Sequence, residues 1–388
     1  MKESSHSLRA GRSWPRVAFI TNLCPHYRRP LFELLAEQME ATFYFFSRGE
    51  ERYLGGLEHE PGDLPIREPR RVRVAGQPLL VGLERELTRE RYDVVVKCIN
   101  GALMLPHVYN LAWRRKLPFV LWTGMSRHPR TLQHRLRRPL TERIYRGADA
   151  IVAYGHHVER SLLGVQGVAA DKIFVSQQAV DAGPFEAVDP AFPERADVVF
   201  VGRLEESKGV RDLLAAFAAL DGAAGRLRLI GVGSLEGWIR GQAGSERRVE
   251  LLGGLGRDRI AAELARARCL VLPSVTTDRG REPWGLVVNE AMAAGIPVVA
   301  TDAVGAAAGG LVRDGRNGFI VPERRPDALA GALRRLIEDR ELARSLGAQA
   351  RADVEPFNYP RMAQAFTDAI EHAIEPRKAR PRPRPDAW

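Results

Sequence analysis

Residues 197–220 read DVVFVGRLEESKGVRDLLAAFAAL, and this stretch decides the fold. Asp197–Gly202 is a short run rich in Val and Phe, the composition of a strand covered on both faces. From Val210 the period changes. Val210, Leu213, Leu214, Phe217 and Leu220 recur at helical spacing and share one face. A buried strand passing through a polar loop into a packed helix is one unit of a parallel sheet wound with helices. Ligands of such sheets sit beyond the carboxyl ends of the strands, where this loop lies. The loop carries Arg203 and Lys208 beside a helix N-terminus, an arrangement suited to a diphosphate. Taken alone it is equally a solvated turn whose cations pair with Glu205 and Glu206.

The same alternation runs along nearly the whole chain. Candidate strands in the first half are Val17–Thr21, Thr42–Ser47, Val94–Ile99, Phe119–Thr123, Ala150–Tyr154 and Lys172–Gln177. After Asp197–Gly202 come Leu227–Gly231, Val249–Leu252, Cys269–Pro273, Val298–Thr301 and Phe319–Val321, with helical patterns between them. Pro184, Pro190 and Pro193 punctuate Ala179–Ala196, which reads as a linker. The expected fold is α/β, with two Rossmann-like domains whose parallel sheets face across a cleft. Residues 1–15 are a flexible start, 16–180 the first domain, 181–196 the hinge and 197–353 the second domain. Residues 354–374 hold a helix with the stripe Met362, Phe366, Ala369 and Ile370, expected to pack back on the first domain. Residues 375–388 read as a disordered basic tail.

The 388 residues are 45% hydrophobic and 27% charged, enough apolar material for large cores. Fifty-eight basic residues against 48 acidic ones give a net charge of +10, and only six of the basic residues are lysine. Such a balance favours anionic partners: phosphorylated metabolites, acidic headgroups or nucleic acid. Aromatics make up only 7%, too few for a surface that stacks single strands, so no nucleic-acid partner is expected. Cys24, Cys98 and Cys269 lie far apart with no CxxC spacing, and no Asp-x-Asp or His/Cys/Asp cluster reads as a metal site. The opening MKESSHSLRAGRSW lacks an apolar signal core, and no run reaches the roughly 18 apolar residues of a membrane span. A cytoplasmic chain, free or peripheral on the inner face of the plasma membrane, is the expectation.

The second chemical segment is REPWGLVVNEAMAAGIPVVATD, residues 281–302. Glu282 precedes a turn, Pro283 suits the first turn of a helix, and that helix runs through Glu290 to Gly295. With one carboxylate in the loop and one on the helix, the pair can meet different parts of a ligand. A carboxylate accepts two hydrogen bonds, matching the vicinal diol of a ribose or hexose. The free N–H groups of the Trp284–Leu286 turn, with Gly285 between them, would point at a phosphate. A helix with Glu282 favouring its dipole and Glu290 in water is the plainer reading of the pair alone.

Together these segments resemble the donor-binding half of the family 4 glycosyltransferases, retaining enzymes of the GT-B fold. The motifs fall in the family's order: GRLEESKG from Gly202, LIGVGS with Gly231 and Gly233, EPWGLVVNEAMAAGIPVVAT from Glu282, and DGRNGFIV from Asp314. The Glu282/Glu290 spacing is the family's signature, and AVDAGPF at Ala179 resembles its interdomain hinge. The likeness is close over Asp197–Asp339 and looser over Val17–Asp181. It implies that Arg203 and Lys208 neutralise the diphosphate of a UDP- or GDP-linked sugar as the glycosidic bond breaks. It implies that Glu290 holds the ribose and Glu282 the donor sugar. Gly202, Gly231, Gly233, Pro283, Trp284, Gly285 and Leu286 would frame the donor, with base contacts near Leu252–Leu255. No cofactor or metal is expected, since the cations do a metal's work on the leaving group.

The amino-terminal half departs from the family. Many members have a Gly-rich loop after the first strand, where this chain has TNLCPHYRRP. His26, Tyr27 and Arg28 stand at the right strand end to meet an acceptor, or simply pack the loop. After Phe119–Thr123 many members place a His; here Thr123 and Gly124 occupy the region and His128 is nearby. His156 and His157 read as the start of a helix. Residues 126–146, SRHPRTLQHRLRRPLTERIYR, form a basic amphipathic helix with seven arginines from Arg127 to Arg146. Leu132, Leu136, Leu140 and Ile144 recur along it. It either lies on anionic lipid, as suits a lipid-linked acceptor, or packs its leucines inward.

The expected activity is hexose transfer from a nucleotide sugar to a glycan or lipid-linked acceptor in bacterial cell-surface polysaccharide or lipopolysaccharide synthesis. A nucleotide-sugar epimerase of the same fold would convert donor without acceptor. A basic protein that only binds membrane or nucleic acid would respond to no nucleotide sugar. A pyridoxal-phosphate phosphorylase would need a committed lysine, and Lys208 has the role above.

Overall fold

The computed structural model describes residues 14–49, 58–192, 196–220, 224–243 and 248–375. Its strands are β1 (Arg16–Thr21), β2 (Glu40–Phe45), β3 (Arg70–Val74), β4 (Gln77–Val81), β5 (Val94–Cys98), β6 (Phe119–Thr123), β7 (Ala150–Ala153) and β8 (Ile173–Val175). The second half holds β9 (Ala196–Val201), β10 (Ala224–Ile230), β11 (Val249–Gly253), β12 (Ala267–Leu272), β13 (Val298–Thr301) and β14 (Gly318–Val321). Two six-stranded sheets result, in the orders β2-β1-β5-β6-β7-β8 and β11-β10-β9-β12-β13-β14. Every pairing within them is parallel. The apolar runs of the sequence are these strands. Every residue of β5 and β12 is buried, as expected of central strands covered by helices on both faces.

The strand order places the site. In the second sheet the connections run outward in opposite directions from β9 and β12, so a crevice opens beyond their carboxyl ends. The loops that leave those ends are Gly202–Gly209 and Pro273–Leu286. In the first sheet the same switch falls between β1 and β5, whose loops carry Asn22–Arg28 and Ile99–Leu103.

Each sheet has its own core. The helix Tyr359–Ile374 returns from the second domain to the first, with Met362, Phe366, Ala369 and Ile370 buried in the first core. The Phe366 ring lies 5.2 Å from that of Trp122. Asn358 fixes the start of this helix by accepting from the Arg361 N–H at 3.0 Å.

Three expectations need correction. The antiparallel hairpin β3–β4 was not foreseen; Ala75 and Gly76 both take positive φ in its two-residue turn (49° and 75°). The stretch read as a linker over 181–196 is only partly one. It forms the helix Gly183–Glu186 and buries Phe185 and Phe192 in the second core. The basic segment fits neither of its two readings along its whole length, since Leu140 packs against the first core and the two leucines before it do not. In the helix Leu132–Gly147, Leu132 is 69% and Leu136 75% exposed, and only Ile144 and Tyr145 are buried. The flexible start over 1–15, apart from its last two residues, and the basic tail beyond Glu375 lie outside the described residues.

Candidate active site

Two backbone contacts fix the loop after β9. Gly209 takes φ 65°, and a Cβ there would stand 1.9 Å from the Pro273 carbonyl oxygen. Only glycine lets the loop lie this close against the end of β12. Gly231 meets the Gly202 carbonyl in the same way, with a would-be Cβ 1.9 Å away. The two glycine turns, 202–204 and 231–233, therefore stack backbone on backbone, and Gly233 lies against Leu204.

This packing brings Lys208 to Glu282. The Lys208 ammonium donates directly to Glu282 Oε2, and Ser274 Oγ donates to the same oxygen at 3.2 Å. Both side chains of the pair are largely buried. Burial pushes the Glu282 carboxyl upward; Lys208, the Ser274 hydroxyl and Arg203 outweigh it and hold the group below the usual range. Arg203 itself donates to Glu205 at 3.2 Å, and both are half-buried. The solvated-turn reading thus holds for Arg203 and fails for Lys208.

Glu290 is different. Burial pushes its carboxyl from 4.5 up to about 7, with Arg257 opposing. Its carboxylate has no hydrogen-bond or ion-pair partner among the described residues. Arg257 is itself tied to the hinge, donating to Asp181 Oδ2 at 2.8 Å and lying over the Phe185 ring. The segment after β12 therefore carries an ionised, cation-paired carboxylate in its loop and an unpaired one, raised to about 7, on its helix.

The turn between the two carboxylates corrects one expectation. The helix runs from Val287 to Ala293, so Pro283 precedes it and does not occupy its first turn. Gly285 takes φ 92°, and the N–H groups of Gly285 and Leu286 find no acceptor among the described residues. The Trp284 ring faces inward: its Nε1 donates to Asn289 at 2.7 Å, and Asn289 donates to the Gln178 carbonyl at 2.9 Å. Only the backbone of Trp284 is available to a ligand.

On the first domain, His26 is exposed, with its ring edge-on to Tyr27 at 5.4 Å. Arg28 is boxed by aromatics, 4.6 Å from the Trp122 ring and donating to the Tyr154 hydroxyl at 3.0 Å. The Tyr27 carbonyl accepts from Tyr359 at 2.9 Å. Thr123 does not face the cleft; it is fully buried, with its hydroxyl 3.3 Å from that of Tyr145. His128 is half-buried, 2.7 Å from the Gln166 amide, and has no contact with the carboxylates. Thr123, closed off from the cleft, therefore does not meet an acceptor as expected.

His157 is the residue sequence reasoning missed. It is buried between the domains and donates from Nε2 to the Pro283 carbonyl at 3.0 Å. Burial pulls its pKa down to about 4, so the ring is neutral. Arg160 donates to the Ala308 carbonyl at 2.5 Å, and the Arg130 N–H donates to the Asp278 carbonyl at 2.8 Å. These contacts hold the domains together around a cavity of about 290 Å³ lined by Ser126, Arg127, His157, Arg160, Arg281 and Glu282, among others. Among the described residues no three of His, Cys, Asp and Glu are grouped to hold a metal ion, and no helix is long and apolar enough to cross a membrane.

Two family models match this chain: Glycosyltransferase Family 4 over residues 31–183 and Glycosyl transferases group 1 over residues 185–353. The chain belongs to the group 1, family 4 glycosyltransferases and has their GT-B fold. It is 30% identical over 249 residues to the glycogen synthase of Mycobacterium tuberculosis, across 62% of this chain and 58% of the synthase. The chain thus spans little over half the length of that curated relative. Its fold is shared with Anabaena Alr3699/HepE in complex with UDP, at TM-score 0.71 and 19% identity, covering 92% of this chain and 99% of that one. The lipopolysaccharide outer core galactosyltransferase WaaB is similar at TM-score 0.70 and 18% identity, covering 91% of this chain and 98% of that one.

Proposed function

We propose that this chain transfers a hexose from a nucleoside diphosphate sugar to an acceptor hydroxyl, with retention of anomeric configuration. The observation that carries the reading is the meeting of Lys208 and Glu282 at the ends of β9 and β12, with Glu290 unpaired one helical segment away. In this reading the bond between the anomeric carbon and the diphosphate oxygen breaks. The charge left on the phosphate falls to Arg203, Lys208 and the N–H groups of the 284–286 turn. Glu282 accepts from a hydroxyl of the sugar and Glu290 from the ribose. The acceptor oxygen bonds to the anomeric carbon on the face the phosphate leaves, and the phosphate takes its proton. The two cations supply charge neutralisation without a metal.

The UDP bound in the HepE structure supports a UDP-linked donor, with GDP the other choice. The likeness to WaaB supports a cell-surface glycan or glycolipid acceptor. The exposed Leu132 and Leu136, set among arginines, support peripheral contact with anionic lipid on the cytoplasmic face of the plasma membrane. The test is turnover of UDP- and GDP-hexoses in chelator, with the anomer of the product read by NMR. Product of the donor's own anomeric configuration is expected. The opposite anomer would overturn retention, and loss of turnover in chelator would overturn metal independence.

A further inference from the structure

We propose that the acceptor carries an anionic group, a phosphate or a carboxylate, held by Arg127 and Arg160 across the cleft from Glu282. This rests on the glycosyl-transfer reading and names the acceptor class for the same site.

The charges around the cavity do not balance. Glu282 is the one carboxylate among its lining residues, and its ion pair is with Lys208, not with Arg127 or Arg160. Arg281 is met by Glu323 at 3.5 Å and by the Thr276 hydroxyl at 3.0 Å. Arg160 donates to a carbonyl, which carries no charge, while its neighbour Glu159 is taken by His156 at 2.8 Å. Arg127 has no hydrogen-bond or ion-pair partner among the described residues. Two guanidinium charges are therefore left over beside the carboxylate assigned to the donor sugar.

The diphosphate does not account for them, because the cations assigned to it stand at the end of β9 in the second domain. Arg127 and Arg160 stand on the first domain, on the loop after β6 and the helix His156–Gly164. They face the cleft from the side that receives the acceptor. A neutral acceptor would partly desolvate both charges and return only single hydrogen bonds to hydroxyls, whereas a phosphate or carboxylate brings the opposite charge and takes paired hydrogen bonds from a guanidinium fork. The positive charge also continues outward from Arg127, through Arg130, to Arg137 on the exposed helix. An anionic acceptor arriving along the protein surface meets the same sign of potential all the way to the cleft.

The test keeps donor and acceptor sites apart. Protein saturated with its nucleoside diphosphate, so that the donor clamp is filled, is titrated calorimetrically with a hexose 6-phosphate, the matching hexuronate and the neutral hexose. At least one anion should bind about tenfold or more tightly than the neutral sugar, and the better of the two identifies the group. Arg127→Ala and Arg160→Ala should each weaken that anion about tenfold, with Arg127→Lys intermediate and nucleotide affinity unchanged. Arg135→Ala, on the exposed helix, should change neither. Equal binding of all three sugars would overturn the proposal. So would anion affinity that survives both cleft variants, or that falls as far in Arg135→Ala. Failure of every nucleotide to bind would strike the underlying glycosyl-transfer reading.

Discussion

Lys208 and Glu282, 74 residues apart in the chain, form a direct ion pair where β9 and β12 end. Neither side chain is in bulk water, so the pair is worth most when intact. Removing one partner leaves an uncompensated charge, typically at a cost of about 3 kcal/mol. Lys208→Met and Glu282→Gln should each lower the urea midpoint, and the double variant should recover much of the loss. The pH dependence has a sign. The folded carboxyl sits below its ordinary value, so the pair's contribution is complete above that value and fades as pH falls through the lowered one. In Lys208→Met, burial acts with less opposition, and the carboxyl should titrate higher. Additive single losses, with no recovery in the double variant, would show the pair is not coupled.

Glu290 predicts the opposite trend. Its folded carboxyl is raised from 4.5 to about 7, so the folded chain holds a proton that the unfolded chain releases in that window. Stability should fall as pH rises from 4.5 to 7. Donor binding needs the ionised acceptor, so KM for the nucleotide sugar should climb as pH drops below 7. Glu290→Gln should raise that KM about tenfold and flatten both profiles. A wild-type KM that stays level between pH 5.5 and 8 would remove Glu290 from the donor site.

The backbone contact at Gly209 is equally exposed to test. Gly209→Ala must place a Cβ against the Pro273 carbonyl in a left-handed conformation, so the loop has to move. Turnover should drop about a hundredfold through displaced Lys208. Asn289→Ala orphans the Trp284 Nε1 and the Gln178 carbonyl and should cost about 2 kcal/mol. Retained activity in Gly209→Ala would mean the loop's position is not what the chemistry uses.

The basic helix can be tried on vesicles. Leu132→Glu with Leu136→Glu removes exposed apolar surface and adds like charge to the lipid, so binding to phosphatidylglycerol vesicles should fall severalfold. Neutral phosphatidylcholine vesicles should bind neither protein. Unchanged binding of the double variant would take these leucines out of any membrane contact.

The sheets were legible in the sequence because most strands are short apolar runs, and burial on both faces favours that composition even where β5 and β12 bury Lys97 and Arg268. Lys208 and Glu282 were singled out together only once the two segments were set beside the family they resemble, and the structure brings their side chains into contact. The hairpin β3–β4 was not legible, since Arg70, Arg71 and Arg73 alternate without an apolar face long enough to read, and Ala75 is a rare residue for such a turn. Its Ala-Gly pair was the available signal. His157 was hidden for another reason. Its partner, the Pro283 carbonyl, lies 126 residues away and has no letter of its own. Thr123 looked like a strand-end residue facing substrate; its hydroxyl turns inward to Tyr145.

In the proposed reaction the loop after β9 grips a nucleoside diphosphate. Among the described residues Arg203 is held only by a half-buried pair with Glu205, so it can turn to a phosphate. The direct measurement is thermal stabilisation by UDP, GDP and ADP, in chelator, for wild type and Arg203→Ala. One nucleotide at 100 times its dissociation constant should add roughly 2.7 kcal/mol to the wild type, and Arg203→Ala should lose most of that shift. No shift with any nucleotide, or an equal shift in the variant, would contradict the account.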